Sequence, residues 1–265
     1  IKVCLKYRVL KKGSLKMNFL DQISERAKND LKTIVLPESN DERVLKAASI
    51  ALEKGLAKII LVGNKDEITK HANGLDISQA IIEDPLESGK LDEYAERYYE
   101  LRKAKGVTKE QAVEVMKNYV YYATMMVKAG DADGMVSGAV YSSAEILRPA
   151  LQIIKTKPGV KSASGFFIIE VEDCDFGEDG IFLFSDCAII ENPDADTLAE
   201  IAVQSSNTFK EIVGAEPKTA MLSYSTYGSA KSELTEKVVQ ATKIAKEKAP
   251  DLIIDGEMQA DAAIV

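Results

Sequence analysis

The feature that most constrains the fold of this chain is a repeated alternation of short apolar segments with amphipathic ones in its first half. Residues 33–36 and 58–62 have the pattern of buried strands, and an apolar stripe from Val44 to Ala51 repeats at helical spacing between them. Two further strands are predicted at residues 80–82 and 134–137. Strand and helix alternation at this spacing predicts a parallel, doubly wound sheet.

Two long helices are predicted between the third and fourth of these strands. The tyrosine-rich segment from Leu91 to Lys105 favours a helix that ends near Gly106. Thr108 and Gln111 have the spacing of a capping box, and the helix that they open is expected to run to about residue 128.

The second half of the chain begins with a change of pattern. Lys155–Lys161 combines positive charge with proline and glycine, so we predict one α/β domain over residues 17–157 and a second over residues 158–265. Apolar segments at residues 166–169 and 181–184 flank an acidic connection, which indicates an antiparallel hairpin. The α/β pattern then returns, with helices and strands expected at about residues 194–213, 219–222, 234–245 and 252–255.

Composition and charge exclude several classes of protein. The chain has 265 residues, 46% of them hydrophobic, which is enough for two ordinary domains. Its net charge is −8 with no basic stripe, and no apolar run has the length of a membrane span, so neither nucleic acid nor membrane is an expected partner. Three cysteines without metal-ligand spacing, and no visible signal peptide, favour the cytoplasm.

Both ends of the chain are unusual. It begins at Ile1, and a Lys-Lys-Gly-Ser segment stands shortly before Met17, so we expect Met17 to be the start and residues 1–16 to be a non-native leader. A genuine N-terminal extension is the alternative. The chain stops at Asp261–Val265, inside an apolar run, and we therefore expect it to be truncated at the C-terminus.

The loop that joins the predicted strand at residues 219–222 to the next helix is rich in hydroxyl groups. Such a junction offers unpaired backbone N–H groups and the positive end of the helix dipole. Hydroxyl and backbone donors for an anion are predicted at Ser223, Ser225, Thr226, Gly228 and Ser229. An ordinary polar turn with a serine cap is the alternative.

Two arginines and a capping box are further candidates. Ser142 and Glu145 have capping-box spacing, and Arg148 lies about one turn into the helix, where it faces either an anion or solvent. Arg102 belongs to a group of cations near a predicted helix end, where dipole compensation and a nucleotide phosphate are both possible reasons. The one histidine, His71, lies in a polar stretch, so histidine-based catalysis has little support.

The acidic strand end at residues 255–261 allows two interpretations. Asp255, Glu257 and Asp261 have side chains that suit a divalent cation, but such residues equally often form hydrogen-bonded scaffolding. No glycine fingerprint of a dinucleotide site and no P-loop occurs.

Four motifs together resemble the phosphate acetyltransferases of the phosphate acetyl/butyryltransferase family. They are Asp133–Gly138, Leu147–Ala150, Ser223–Ser229 and Asp255–Asp261, and the resemblance runs from about Met17 to the end of the chain. It implies reversible transfer of an acetyl group between acetyl phosphate and coenzyme A by direct attack of the thiol, without a metal or bound cofactor. It also implies two three-layer α/β domains with an interdomain cleft, like isocitrate and isopropylmalate dehydrogenases, and a homodimer when full length.

The resemblance also assigns roles to residues. Arg102 matches an arginine associated with coenzyme A and Arg148 one associated with substrate, while the catalytic base and a serine–arginine pair are expected beyond Val265. Tyr227 stands where some relatives have lysine. The full set of expected substrate-binding residues is Arg102, Ser142, Arg148, Ser223, Ser225, Thr226, Gly228 and Ser229. Phosphate butyryltransferase activity and an inactive fragment or non-catalytic module are the alternatives.

Overall fold

The computed structural model describes residues 18–264, and in it the chain divides into two compact units. The N-terminal unit comprises residues 20–155, and the C-terminal unit comprises residues 156–264 with Asn18 and Phe19. The predicted boundary after residue 157 and the separate folding of the two domains stay predictions. The expected leader at residues 1–16 and the start at Met17 lie outside the described residues.

The N-terminal unit is built on a parallel sheet of four strands, as the alternating pattern predicts. The strands are β1 Thr33–Leu36, β2 Lys58–Val62, β3 Ile81–Glu83 and β4 Gly134–Met135. Their spatial order is β3-β2-β1-β4, and Val35 pairs with Ile60 on one side and Met135 on the other. Because β4 adds on the side of β1 opposite β2, the order of the sheet reverses at β1. Ligands of open α/β sheets bind at such a reversal, beyond the carboxyl ends of the strands.

Seven helices accompany this sheet, one of them beginning at Phe19. They are α1 Phe19–Asn29, α2 Glu42–Glu53, α3 Lys65–Ala72, α4 Leu91–Arg102, α5 Lys109–Met116, α6 Tyr119–Ala129 and α7 Ser143–Pro149. A 3₁₀ turn follows α4 at residues 103–105, and a π-helical turn, Ala150–Ile154, follows α7. The capping box of Thr108 and Gln111 is confirmed at the start of α5.

The single helix expected from residue 109 to about residue 128 is wrong, because it is two helices. Asn118 has an extended backbone conformation, and its side chain accepts hydrogen bonds from the N–H groups of Val120 and Tyr121. Asparagine competes well for this N-cap role, so it ends α5 and begins α6.

Each face of the sheet packs against its own helices. Val35, Ile60 and Val62 belong to a buried cluster with residues of α4, α5 and α6. Leu36 and Leu61 belong to a second cluster with residues of α2 and α3. Successive strand residues point to opposite faces, so the continuous apolar runs seen in the sequence correspond to burial on both sides.

The C-terminal unit contains a hairpin and a parallel strand pair. The elements are β5 Phe166–Glu170, β6 Ile181–Ser185, α8 Ala195–Val213, β7 Lys218–Leu222, α9 Glu233–Lys248, β8 Ile253–Met258 and α10 Ala260–Ile264. The predicted antiparallel hairpin is confirmed, with Phe167 opposite Phe184, and β7 pairs with β8 in parallel. Small residues on α8 and α9 pack against Met221 and Ile254. Nowhere in residues 18–264 is a helix long and apolar enough to cross a membrane.

Candidate functional site

At the reversal point of the N-terminal sheet, one buried carboxylate joins the carboxyl ends of β1 and β4. Glu38 follows β1 and is 6% exposed. One of its oxygens accepts the N–H groups of Gly138 and Ala139 at 2.7 and 3.0 Å, and the other accepts those of Val140 and Tyr141, both at 2.7 Å. The loop between β4 and α7 is therefore folded around the Glu38 side chain.

The charge of Glu38 is stabilised by these same bonds. Burial raises the pKa of Glu38, but the four backbone N–H groups lower it, and the net shift is below its ordinary value. The carboxylate is thus ionised at neutral pH. No local pattern in the sequence identifies amides about a hundred positions away as the partners of Glu38.

Ser142 begins α7 with the predicted capping box. Its hydroxyl oxygen accepts the N–H of Glu145 at 3.4 Å, and the Glu145 carboxylate accepts the backbone N–H and the hydroxyl of Ser142 at 2.8 and 2.7 Å. The Ser142 hydroxyl is therefore already occupied within the protein, although the residue is exposed. Its contact with substrate stays a prediction.

Arg102 and Arg148 both act electrostatically on Tyr121. Burial raises the pKa of Tyr121, and the positive charges of Arg148 and Arg102 oppose that rise. Arg148 is exposed, whereas Arg102 is half-buried and its buried Nε has no hydrogen-bond partner in the described structure. Across residues 18–264, neither guanidinium forms an ion pair, although the charge of Arg148 also lowers the pKa of Glu145. Both predicted residues therefore act on Tyr121, and binding of an anion by either of them stays a prediction.

A small polar cluster lies beside the two arginines. The hydroxyls of Tyr98 and Tyr121 both donate to Oε1 of Gln152, at 2.8 and 3.1 Å, and the two rings pack edge to face with centroids 5.8 Å apart. Gln152 reaches this position from the π-helical turn after α7. Such turns occur frequently at functional sites. Sequence reasoning missed all three residues; the tyrosine-rich helix was visible, but nothing indicated the π-helical turn.

In the C-terminal unit, the hydroxyl-rich loop after β7 is folded around a second carboxylate. Glu257, on β8, is 3% exposed and accepts the N–H of Gly228 at 2.7 Å and the hydroxyl of Ser225 at 2.9 Å. These two bonds are the main reason that the pKa of Glu257 is lowered. Part of the donor set predicted for an external anion therefore already binds an anionic group of the protein itself.

Other hydroxyls of this loop also make internal contacts. Ser225 is fully buried and accepts the N–H of Ala230 at 3.1 Å, while Thr226 Oγ1 accepts the N–H of Gln259 at 2.9 Å. Ser229 is exposed, and its hydroxyl oxygen accepts the N–H of Thr226 at 3.0 Å. These contacts favour a supporting role for Ser225 and Thr226. Contact of any of these side chains with substrate stays a prediction.

The same loop ends in the serine cap that was considered as the alternative. Ser232 begins α9, and its hydroxyl oxygen accepts the N–H of Thr235 at 3.3 Å. Ser223 is half-buried, and its hydroxyl oxygen accepts the N–H of Ser225 at 3.2 Å. The cap and the hydroxyl-rich turn therefore occur together in one loop.

Asp255 is held by a tyrosine and a lysine. The Tyr227 hydroxyl donates to one carboxylate oxygen at 2.5 Å, and Lys246 Nζ donates to the other at 2.9 Å. These partners lower the pKa of Asp255 to about 2. Asp255 and Glu257 are thus hydrogen-bonded scaffolding, the second of the two interpretations. Among the described residues, no group of three or more histidine, cysteine, aspartate or glutamate side chains is arranged to hold a metal ion.

His71, Cys174 and Cys187 are all at least partly exposed to solvent. The Nδ1 of His71 lies 2.7 Å from the carbonyl oxygen of Glu67. Cys174 and Cys187 are half-buried free thiols.

Comparison with known proteins gives consistent matches over nearly the whole chain. The family model described as Phosphate acetyl/butaryl transferase matches residues 18–265. The phosphate acetyltransferase of Acetivibrio thermocellus is 60% identical over 249 residues, which cover 94% of this chain and 75% of that relative. The phosphate acetyltransferase of Thermoanaerobacterium thermosaccharolyticum is 56% identical over 249 residues, which cover 94% of this chain and 76% of the relative.

A solved structure extends the likeness to three dimensions. The crystal structure of a phosphotransacetylase from Streptococcus pyogenes superposes with a TM-score of 0.86 at 42% sequence identity. The match covers 93% of this chain and 74% of that protein's chain. The sequence comparison and the structural comparison therefore match proteins with the same named activity.

Proposed function

This chain belongs to the Phosphate acetyl/butaryl transferase family, and from that premise we propose that it transfers an acetyl group reversibly between acetyl phosphate and coenzyme A. Relatives that are 60, 56 and 50% identical to it are all named phosphate acetyltransferases. Their names support acetyl phosphate as the substrate in preference to butyryl phosphate. The proposed reactants are therefore coenzyme A with acetyl phosphate in one direction, and acetyl-CoA with inorganic phosphate in the other.

The reaction sets two chemical requirements. The sulfur of coenzyme A attacks the acetyl carbonyl carbon, a C–S bond forms, and the C–O bond to phosphate breaks. Because an ordinary thiol has a pKa of roughly 8.5, a base is needed to remove its proton at neutral pH. We assign no residue of this chain as that base. The leaving phosphate needs cationic groups or N–H donors to stabilise its charge.

The two arginines beside Tyr121 carry this proposal. Guanidinium groups bind phosphate through paired hydrogen bonds and remain charged at any working pH, and neither Arg102 nor Arg148 forms an ion pair within residues 18–264. We propose that Arg148 binds the acyl phosphate and that Arg102 binds a phosphate of coenzyme A.

The remaining predicted residues have secondary parts in the proposal. Ser223, Gly228 and Ser229 contribute donors from the exposed side of their loop, while Ser225 and Thr226 keep that loop folded. Ser142 maintains the start of the helix that carries Arg148. We propose further that the two units are three-layer α/β domains of the isocitrate/isopropylmalate-dehydrogenase kind, and that the protein acts in the cytoplasm as a homodimer without a metal or a bound cofactor.

The test is the formation of acetyl-CoA from acetyl phosphate and coenzyme A by the purified protein, followed through thioester absorbance. Parallel assays with butyryl phosphate measure the acyl preference. Acetyl transfer with a higher kcat/KM than butyryl transfer supports the proposal; a higher value for butyryl phosphate, or no transfer of either acyl group, contradicts it.

The arginine assignment has its own test. Arg148→Ala is expected to raise the KM for acetyl phosphate by about tenfold or more, because a charge-assisted phosphate contact is lost. Arg97→Ala serves as the matched control, since Arg97 is an exposed arginine of α4 that pairs with Glu93. Equal kinetics of the two variants would remove Arg148 from the site.

A further inference from the structure

The contact between Glu38 and the loop of residues 138–141 differs from an ordinary helix or turn cap. Four consecutive N–H groups converge on a single carboxylate at 2.7–3.0 Å, and they belong to a segment about a hundred positions away in the chain. Glu38 follows β1, and the loop follows β4, which is the neighbouring strand. The Glu38 carboxylate therefore links the carboxyl ends of β1 and β4 by hydrogen bonds, at the point where the sheet order reverses.

The loop leads directly into the helix with the proposed phosphate-binding arginine. Ser142, the residue after the loop, caps α7, and Arg148 lies in the last turn of that helix. Gly138 has a φ of 124°, a conformation that glycine adopts easily and other residues do not. The loop conformation consequently fixes where α7 begins and in which direction it leaves the sheet.

We propose that Glu38 is a positioning residue for the acetyl transfer reaction, holding the loop of residues 138–141 so that Arg148 meets the substrate phosphate. The inference rests on the proposed function and adds to it a residue that does not touch substrate. A carboxylate has about four acceptor positions, and all four are used by backbone N–H groups. Glu38 thus has no acceptor position left for a substrate proton, which distinguishes it from a general base.

The same geometry prevents an anion from binding within the loop. Convergent backbone N–H groups form a concave site for anions when they are unoccupied. Here the Glu38 carboxylate occupies that position and is 6% exposed, so the N–H groups of residues 138–141 are not available to a phosphate. Glu38 therefore acts on the phosphate through the arginine that follows the loop.

Glu38→Gln is the decisive variant because it keeps the shape of the side chain. Its amide nitrogen cannot accept hydrogen bonds, so two of the four N–H groups lose their acceptor. We expect kcat/KM for acetyl phosphate to fall by about tenfold, mainly through a higher KM. Glu38→Asp retains both acceptor oxygens on a shorter side chain and is expected to recover part of the loss. If the glutamine variant does not fold, the aspartate variant provides the same comparison.

A double-mutant cycle tests whether Glu38 acts through Arg148. If it does, Glu38→Gln added to Arg148→Ala changes kcat/KM by less than about twofold, because the contact that Glu38 positions is already absent. Tyr94→Phe is the control for a general loss of stability. Tyr94 is fully buried and donates to Asp131, which precedes β4, whereas the loop held by Glu38 follows β4. We expect this control to lower stability and leave the KM for acetyl phosphate unchanged.

The outcomes separate this inference from the proposed function. Absence of acetyl transfer by the unaltered protein contradicts the proposed function. An active unaltered protein whose Glu38→Gln variant has a normal KM contradicts the positioning role alone. Fully additive effects of Glu38→Gln and Arg148→Ala also contradict it, since they would show that Glu38 acts independently of Arg148.

Discussion

Two substitutions of Gln152 are expected to have different effects, one on stability and the other on substrate binding. Replacement by leucine removes the oxygen that accepts the hydroxyls of Tyr98 and Tyr121. Tyr98 is 3% exposed, so its hydroxyl has little access to water as a substitute acceptor. Losing two neutral hydrogen bonds costs about 1 kcal/mol each, and leaving one buried donor unsatisfied adds about 1–2 kcal/mol. We therefore expect Gln152→Leu to lower the free energy of unfolding by about 3–4 kcal/mol.

Gln152→Glu should have the opposite effects to Gln152→Leu, because glutamate keeps the shape of the glutamine side chain and both of its acceptor positions. A carboxylate still accepts both tyrosine hydroxyls, and it adds a negative charge close to the tyrosine that Arg102 and Arg148 flank. Stability should be close to that of the unaltered protein, since hydrogen bonds to a charged acceptor are stronger than neutral ones. The added charge competes with phosphate for the guanidiniums, and we expect the KM for acetyl phosphate to rise by about tenfold.

Urea denaturation and steady-state kinetics measure these two effects on the same protein samples. Each variant is the control for the other, because the leucine variant is expected to lose stability and the glutamate variant is expected to lose affinity for acetyl phosphate. A leucine variant within about 0.5 kcal/mol of the unaltered protein would refute the hydrogen-bond argument. A glutamate variant with an unchanged KM would refute the claim that the arginines beside Tyr121 bind the substrate phosphate.

Two other predictions concern stability and pH. Tyr227→Phe should raise the pKa of Asp255 from about 2 toward its ordinary value of 3.8, because the strongest contact that lowers it is removed. The stability that this depressed pKa gives is present above pH ~4 and lost as pH falls toward 2, so the variant should lose less stability over that interval. Carboxyl NMR titration measures the pKa, and an unchanged value would contradict the role of the hydroxyl. Asn118→Ala should lower the free energy of unfolding by about 1 kcal/mol through loss of the α6 cap. Thermal denaturation checks this effect, and an unchanged Tm would show that the break between α5 and α6 does not depend on Asn118.

The parts of the fold that could be predicted from the sequence depend on short-range patterns. The strands at residues 33–36 and 58–62 and the capping boxes at Thr108 and Ser142 are confirmed. Each of them follows from residues within one element, through apolar periodicity or from side chains three positions apart. The break at Asn118 was missed because the apolar pattern continues across it, and periodicity outweighed the capping signal.

The candidate site could be predicted only in part for the same reason. Arg102 and Arg148 were identified from motif and local context, but their common action on Tyr121 depends on how α4, α6 and α7 pack. Gln152 reaches Tyr98 and Tyr121 from a π-helical turn that no local pattern indicated. Contacts between segments distant in sequence decide these positions, and a single sequence carries no direct record of them.

The loop contacts also change which groups must bind the anionic substrates. The loop at residues 223–229 was expected to supply N–H and hydroxyl donors to an anion, but carboxylates of the protein occupy several donors in this loop and in two other loops. Glu38 binds four N–H groups, Glu257 binds one N–H group and the Ser225 hydroxyl, and Asp186 binds four N–H groups around the β5–β6 hairpin. Each carboxylate adds negative charge beside its loop, in a chain whose net charge is already −8. Attraction for phosphate therefore has to come from side chains with full positive charge, which is why unpaired arginines, rather than the hydroxyl-rich loops, are the stronger candidates for substrate binding.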